Sequence, residues 1–165
     1  IDLKKNILCG KYRKGHFEGV IDIIDRLLKL INPNYMFLGE KDFQQLFLIR
    51  KYVKNKFKVK IIPCKTVRDK NYVALSSRNF LLSKNDLNKS SKIAKKLKLF
   101  KNEIKKNNFK IKLFKIKNYL INNYNIKIEY LELRNEKDLS IYKKGKNFKI
   151  FIAYYIKNVR LIDNY

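Results

Sequence analysis

Cysteine, glycine and long apolar runs are all scarce in this sequence of 165 residues. Cys9 and Cys64 lie far apart and have no companions at metal-ligand spacing, which excludes a disulfide framework and a cysteine-rich metal site. We therefore expect a reducing, cytoplasmic environment. No run reaches the roughly 18 apolar residues of a membrane span, and no glycine-rich phosphate loop is recognisable.

Acidic residues and arginines are also few beside the lysines. Fourteen acidic residues face 40 basic ones, giving a net charge of +26, but only seven of the basic residues are arginine. Arginine is the residue that recognises bases and phosphates through paired hydrogen bonds. The lysines are spread along the whole chain, as is typical of AT-rich codon usage. We expect weak, salt-sensitive binding of polyanions and no specific nucleic acid.

Two alternative functions follow from the same charge. One is a lysine-rich nucleic-acid-binding module, which would bind tightly through many lysines. The other is a basic peripheral membrane protein, for which residues 87–106 form the nearest candidate helix. The apolar stripe of that helix is of the kind that a folded domain buries, so we expect no membrane partner.

The first part of the chain alternates between helical and strand patterns. Apolar residues make up 45% of the sequence, enough for a folded core. Apolar spacing predicts helices over residues 17–31 and 42–56, and short apolar runs predict strands over 35–38 and 57–63. Helices and strands that alternate over short connections predict a parallel α/β sheet, which binds its ligands at the carboxyl ends of the strands.

A different pattern begins after about residue 70. Ser83 and Asp86 form a capping box ahead of a predicted helix that runs to about residue 107, and a second helix is predicted over 110–123. Predicted strands then occupy residues 126–133, 148–156 and 159–163. Two helices followed by antiparallel strands make a small α+β unit.

Residues 39–42, with the sequence GEKD, follow the first predicted strand. Gly39 would let a flat ligand approach the backbone, Asp42 could accept both hydroxyls of a ribose, and Lys41 could reach a phosphate. The helix that follows offers free N–H groups to an anion, and Gln45 lies in its first turn. The alternative is a solvated loop in which Asp42 caps the helix.

A second polar group spans the change of pattern. Ser76, Ser77 and Arg78 supply two hydroxyls and a guanidinium, the donors of a polyphosphate clamp. Arg68 adds another positive charge after the second predicted strand. A single Ser-Ser-Arg tripeptide is common by chance. We nevertheless expect the two polar groups to fold against each other, so that a nucleotide bridges them.

The order of these motifs resembles the pantoate–β-alanine ligase family, whose members are pantothenate synthetases. The resemblance rests on RKGHFEGVIDIIDRLLKLINPN at 13–34, GEKDFQQLFLIRKYV at 39–53, TVRDKNYVALSSRNFLLS at 66–83 and RLIDN at 160–164. It implies an α/β fold: the back half of a Rossmann-like nucleotidyltransferase (class I synthetase-like) domain in residues 1–72. A small α+β lid domain with antiparallel strands and the Ser-Ser-Arg loop would occupy residues 73–165.

The resemblance also implies a reaction and the residues that serve it. ATP and pantoate would give pantoyl-adenylate and pyrophosphate, and β-alanine would then displace AMP to form pantothenate, a coenzyme A precursor. Mg²⁺ would help to neutralise the phosphates, without a protein-built metal site, and the complete enzyme would be a homodimer. The implied ATP contacts are Gly39, Glu40, Lys41, Asp42, Val67, Leu75, Ser76, Ser77 and Arg78. Lys41, Ser76, Ser77 and Arg78 would be catalytic, and Gln45 would bind pantoate.

One departure from the family pattern is serious. The family's His-x-Gly-His motif, which steadies the ATP phosphates, has no counterpart in this sequence. The single histidine, His16, matches the family's Arg-x-x-His-Phe segment, and we expect it to be a structural residue at a helix entry. The motif would lie upstream of Ile1. We therefore expect the chain to be a fragment or a truncated product that cannot form the adenylate alone.

Overall fold

A computed structural model describes residues 3–54, 56–104, 109–143 and 147–165. It divides the chain into two units, Ile1–Thr66 and Val67–Tyr165. The division falls six residues before the boundary at 72/73 that the sequence pattern suggests. Residues 67–72 group with the second unit because Arg68 forms a β-bridge with Ala74 and a salt bridge with Asp163.

The first unit is an alternation of helices and parallel strands. A short helix, α1, spans Cys9–Tyr12, and α2 spans His16–Ile31. Strand β1 covers Tyr35–Gly39, α3 covers Phe43–Lys54, and β2 covers Lys60–Cys64. The predicted helices and the first strand are confirmed, although residue 55, within the predicted 42–56 helix, lies outside the described residues.

The second strand begins three residues later than its apolar pattern predicts. The backbone N–H of Phe57 donates to the carbonyl of Val53 at 2.9 Å, which ties Phe57 to the last turn of α3. Phe57 and Val59 still pack against the apolar core of the unit. Phe57 and Val59 are therefore apolar because they are partly buried. Pairing of this segment with β1 starts only at Lys60.

The core of the first unit lies between its helices and one face of its sheet. Residues of α2 and α3 form the centre of this core, and Met36, Leu38 and Ile61 pack against it from the strands. Strands β1 and β2 run parallel, with Phe37 opposite Ile62. The buried residues at this centre are Ile21, Leu28, Ile49 and Val53.

The second unit packs two helices against an antiparallel sheet. Helix α4 spans Lys84–Ile104 and α5 spans Phe109–Tyr124. Strands β3, β4 and β5 span Lys127–Asn135, Phe148–Ile156 and Val159–Asn164, in that order across the sheet. These elements confirm the α+β prediction. The predicted end of the first helix, near residue 107, lies outside the described residues.

Helix α4 begins with the predicted capping box. The amide of Asp86 donates to Ser83 Oγ at 3.2 Å, and that hydroxyl donates to Asp86 Oδ2 at 2.7 Å. Lys157, just after β4, adds an ion pair to the same oxygen at 2.8 Å. The cap therefore also ties the start of the helix to the sheet.

The core of the second unit is larger than that of the first. It includes the buried stripe of α4, with Ile93, Leu97 and Phe100, against which the inner faces of α5 and the sheet pack. In the part of the chain that the structure describes, no helix has the length and apolar character needed to cross a membrane. The apolar stripe of α4 is buried within the unit, as its spacing predicts.

Candidate ATP-binding site

The first polar group lies where β1 turns into α3. Gly39 ends the strand in an extended conformation, Glu40–Asp42 form one 3₁₀ turn, and α3 begins at Phe43. This places residues 39–42 at the carboxyl end of a parallel strand and at the amino end of a helix. A helix start of this kind presents unpaired N–H groups and a partial positive charge to an anion.

The space beside Gly39 is open. Among the described residues other than its chain neighbours, no atom lies within 4 Å of a Cβ built on Gly39, and its φ of −69° is accessible to any residue. Neither the packing of the unit nor the backbone conformation therefore requires glycine at this position. A requirement for glycine would have to come from a ligand that approaches the backbone.

The side chains that follow differ in their exposure. Asp42 is exposed, whereas Glu40, Lys41 and Gln45 are half-buried. Within the described ranges, Asp42 and Gln45 make no side-chain hydrogen bond or ion pair. Asp42 therefore does not cap α3, which removes the main support for the alternative that the turn is a capped, solvated loop.

Gln44 is a residue of this turn that the sequence interpretation missed. It is 5% exposed, and its Oε1 accepts from the backbone N–H of Cys9 at 3.0 Å. Its Nε2 donates to the carbonyls of Lys4 and Ile7 at 2.8 and 2.7 Å. No local sequence signal reveals this role, because the partners of Gln44 lie 35 to 40 positions away in the chain.

Residues 67–75 form a tight hairpin in the second unit. The backbone N–H of Leu75 donates to the carbonyl of Val67 at 3.0 Å, and the N–H of Asp69 donates to that of Val73 at 2.9 Å. Asp69 Oδ1 accepts from the N–H groups of Asn71 and Val73, which fixes the turn. The structure thus brings together Val67 and Leu75, two of the predicted ATP contacts.

Arg68 anchors this hairpin instead of extending a phosphate clamp. Its guanidinium bonds both carboxylate oxygens of Asp163, at 2.7 and 2.8 Å, and the carbonyl of Asn164 at 3.0 Å. It also donates to the carbonyl of Tyr72 at 2.9 Å and lies over the ring of Tyr165. The expectation that Arg68 adds charge for a phosphate is therefore wrong, because Asp163 neutralises it.

The Ser-Ser-Arg segment follows the hairpin directly. Ser76 is extended, and its Oγ accepts from the N–H of Arg78 at 3.2 Å, which starts a 3₁₀ turn over Ser77–Leu81. Among the described residues, the side chains of Ser77 and Arg78 make no hydrogen bond or ion pair. The side chains of Ser77 and Arg78 are thus not committed within the described structure. The Ser76 hydroxyl accepts in the turn and can still donate its O–H to a ligand.

His16 begins α2, as expected for a residue at a helix entry. Its Nε2 lies 2.9 Å from Nη1 of Arg13, and its ring packs on Phe17 with the centroids 4.9 Å apart. These contacts give the histidine a local structural role.

The family model of pantoate-beta-alanine ligase matches residues 2–165. The chain belongs to this family. Among the curated relatives, the pantothenate synthetase of Flavobacterium psychrophilum is 39% identical over 159 residues, which cover 94% of this chain and 56% of the relative. The pantothenate synthetase of Azobacteroides pseudotrichonymphae is 40% identical over 164 residues, which cover 97% and 59%.

Solved structures of pantothenate synthetases have the same fold. The enzyme from Thermus thermophilus superposes with a TM-score of 0.90 at 27% identity, over the whole of this chain and 61% of that one. The ligase from Francisella tularensis, complexed with beta-gamma ATP and beta-alanine, gives 0.75 at 36% identity and covers 56% of that chain. The predicted fold class is confirmed, and nothing in these matches supports the nucleic-acid-binding alternative.

The chain is shorter than these pantoate-beta-alanine ligases. It spans between about half and three-fifths of the length of the relatives named above. The residues that the family resemblance selects nevertheless fall into two structured groups, residues 39–45 in the first unit and residues 67–78 in the second.

Proposed function

We propose that this chain provides the ATP-binding part of a pantoate–β-alanine ligase, which makes pantothenate, a precursor of coenzyme A. Membership of the family supports this proposal, as does the Francisella relative, whose structure contains beta-gamma ATP and beta-alanine. The observation that carries it is the open space beside Gly39, at a helix start where Asp42 is exposed.

Each structured group would supply contacts to ATP. Asp42, with its exposed carboxylate, accepts the two ribose hydroxyls, and the backbone of Gly39 and Glu40 lies against the nucleoside. In the second group, the adenine contacts the hairpin through Val67 and Leu75.

The first chemical step consumes ATP. A carboxylate oxygen of pantoate attacks the α-phosphorus, the bond from that phosphorus to the bridging oxygen breaks, and pyrophosphate leaves with the electron pair. No proton has to move, so catalysis consists of positioning and of stabilising negative charge. Lys41, Ser76, Ser77 and Arg78 provide this stabilisation, and Gln45 holds pantoate in line.

The second step forms the amide. The amine of β-alanine attacks the acyl carbon of pantoyl-adenylate, the acyl–phosphate bond breaks, and AMP leaves while the amine loses a proton. Gln45 keeps its position at the pantoyl group throughout this exchange.

Magnesium enters this scheme only with the nucleotide. In the described part of the chain, no three His, Cys, Asp or Glu side chains cluster as metal ligands. Mg²⁺ in phosphate-transfer sites is held largely by the phosphates, with few protein carboxylates. We therefore propose MgATP as the substrate form.

The proposal extends to the cellular setting and the assembly. Cys9 and Cys64 are both free thiols, which suits the cytoplasm. A homodimer of the complete enzyme is proposed from the family resemblance.

A hybrid enzyme tests the proposed function. Residues 2–165 replace the matching region of the Flavobacterium psychrophilum synthetase, and pantoate-dependent exchange of pyrophosphate into ATP is measured. We expect exchange by the hybrid and none by the 165 residues alone. A folded hybrid without exchange would reject the function, and robust exchange by the isolated chain would reject its dependence on the rest of the enzyme.

A further inference from the structure

The two strands of the hairpin in the second unit are held in place in different ways. Val73 and Ala74, in its second strand, are 6% and 5% exposed, so burial fixes them. The first strand has no buried side chain, because Val67 is 66% exposed and Arg68 and Asp69 are half-buried. The position of Val67 therefore depends on hydrogen bonds and ion pairs of its strand rather than on burial.

Arg68 joins this first strand to the end of β5. Its guanidinium meets both carboxylate oxygens of Asp163, at 2.7 and 2.8 Å, and the carbonyl of Asn164 at 3.0 Å. The same group donates to the carbonyl of Tyr72 within the hairpin and lies 4.7 Å from the ring centroid of Tyr165. A planar guanidinium that meets both oxygens of a carboxylate is fixed in orientation as well as attracted by charge.

Asp163 is a firmly held partner for this contact. Its side chain is 9% exposed, and its Oδ1 also accepts from the backbone N–H of Asn164 at 2.8 Å. In the antiparallel register it lies opposite Ile152 of β4, which is fully buried in the core of the second unit. The contact with Asp163 thus ties Arg68, and the strand that contains it, to the core of the unit.

We propose that Asp163, acting through Arg68, is a positioning residue for the adenine of ATP. The inference rests on the proposed function, in which Val67 and Leu75 contact the adenine. Arg68 lies opposite Ala74, so Val67 and Leu75 are the next pair across the hairpin, joined by the hydrogen bond from the N–H of Leu75. A shift of the first strand would change the spacing of these two contacts.

An ion pair that only stabilised the fold would have a different effect. Breaking a buried pair destabilises a protein, because it leaves one charge without its partner. Such a loss reduces the amount of folded enzyme and does not single out one substrate. A positioning residue instead changes the affinity for the substrate that it helps to place, so the Michaelis constants of the individual substrates separate the two roles.

Steady-state kinetics of pantothenate synthesis by the hybrid enzyme tests the inference. Asp163→Asn keeps the size of the side chain and removes the charge that orients Arg68. We expect the KM for ATP to rise about tenfold or more, with kcat and the KM for pantoate within about threefold of the wild-type values. Arg68→Lys should also raise the KM for ATP, because an ammonium group cannot reproduce the forked contact with the carboxylate.

Glu129 and Arg160 offer a matched control. Their side chains are 9% and 12% exposed, close to the 9% of Asp163 and the 21% of Arg68. This pair joins β3 to β5 and lies outside the hairpin. Glu129→Gln should leave the KM for ATP within about twofold of the wild-type value. Thermal unfolding of each hybrid shows whether the variant is folded at the assay temperature.

Three results would overturn the inference. The KM for ATP could stay within about twofold of the wild-type value in both folded variants of the Arg68 pair, or Glu129→Gln could raise it as much as Asp163→Asn does. If Asp163→Asn does not fold, Arg68→Lys decides alone, and failure of both to fold would show that the pair serves the fold. A folded wild-type hybrid that makes no pantothenate would instead reject the proposed function, and this inference with it.

Discussion

Adjacent residues at the start of α3 have different roles. Gln44 is buried and fixes the backbone of residues 4–9, whereas Gln45 is half-buried and makes no side-chain hydrogen bond with the described residues. Composition identifies both only as amides beside a charged turn. The helical period does not separate them, because each lies three and four residues before buried apolar residues of α3. The contacts of Gln44 with residues 4–9 make the difference.

Replacement of Gln44 should destabilise the protein. Gln44→Ala removes three hydrogen bonds that join α3 to residues 4–9, one of them from the N–H of the buried Cys9, so we expect a loss of about 2–4 kcal/mol in the free energy of unfolding. Urea unfolding followed by circular dichroism measures this loss. Gln45→Ala is the matched control and should cost less than about 0.5 kcal/mol. Equal losses for both variants would contradict the distinction.

Lys41 should act on the chemistry and not on the fold. In the hybrid enzyme, Lys41→Ala should slow pantoate-dependent pyrophosphate exchange by about 100-fold or more, the effect of removing one donor to developing charge. Lys58→Ala, which changes an exposed lysine in the same unit, should leave the rate within about twofold of wild type. An exchange rate of Lys41→Ala that equals the rate of Lys58→Ala would remove Lys41 from the phosphate site.

At the scale of elements, hydrophobic periodicity predicted the helices and strands well, since each has an apolar side that a neighbour buries. It failed for residues 57–59, where burial without a strand partner gives the same apolar pattern. It also missed α1 and the 3₁₀ turns, which are too short to show a period. The pairing of Arg68 with Asp163 was out of reach because it joins residues 95 positions apart.

The cap of α4 should make stability depend on pH. The hydrogen bond from Lys157, followed by that from Ser83, holds the pKa of Asp86 below its usual value of 3.8. A carboxyl with a lowered pKa in the folded state stabilises the fold above the unfolded pKa, and this contribution is lost as the pH falls below it. The melting temperature should therefore drop between about pH 5 and pH 2.

Asp86→Asn tests the source of this dependence. The variant should melt below the wild type at pH 7, and the difference should shrink as the pH falls below about 4. Asp22→Asn is the control, because Asp22 pairs with Arg26 on the exposed side of α2 and such pairs contribute little. If Asp86→Asn keeps the full acid sensitivity of the wild type, other carboxylates cause it.

At the scale of the whole molecule, the charge of +26 and the family membership suggest different functions. Composition alone favours a polyanion-binding protein, whereas the order of short motifs at residues 39–45 and 66–83 predicted the family that the comparisons confirm. The motifs were decisive because they fix residue types at strand ends and turns. The lysines are spread along the chain and are not confined to strand ends or turns, so they carry little information about function.

The positive charge should still cause measurable binding to nucleic acids. This binding should be electrostatic and independent of nucleotide sequence. Two DNA duplexes of unrelated sequence should bind with affinities within about twofold of each other, and each affinity should fall by about 100-fold or more between roughly 50 and 200 mM salt, because counterion release dominates. Fluorescence anisotropy measures both. Arg134→Lys is a suitable control, since Arg134 is buried and pairs with Glu132, so its loss should not alter the salt slope. A preference of about tenfold for one duplex that persists at the higher salt concentration would show specific recognition, which the dispersed lysines do not explain.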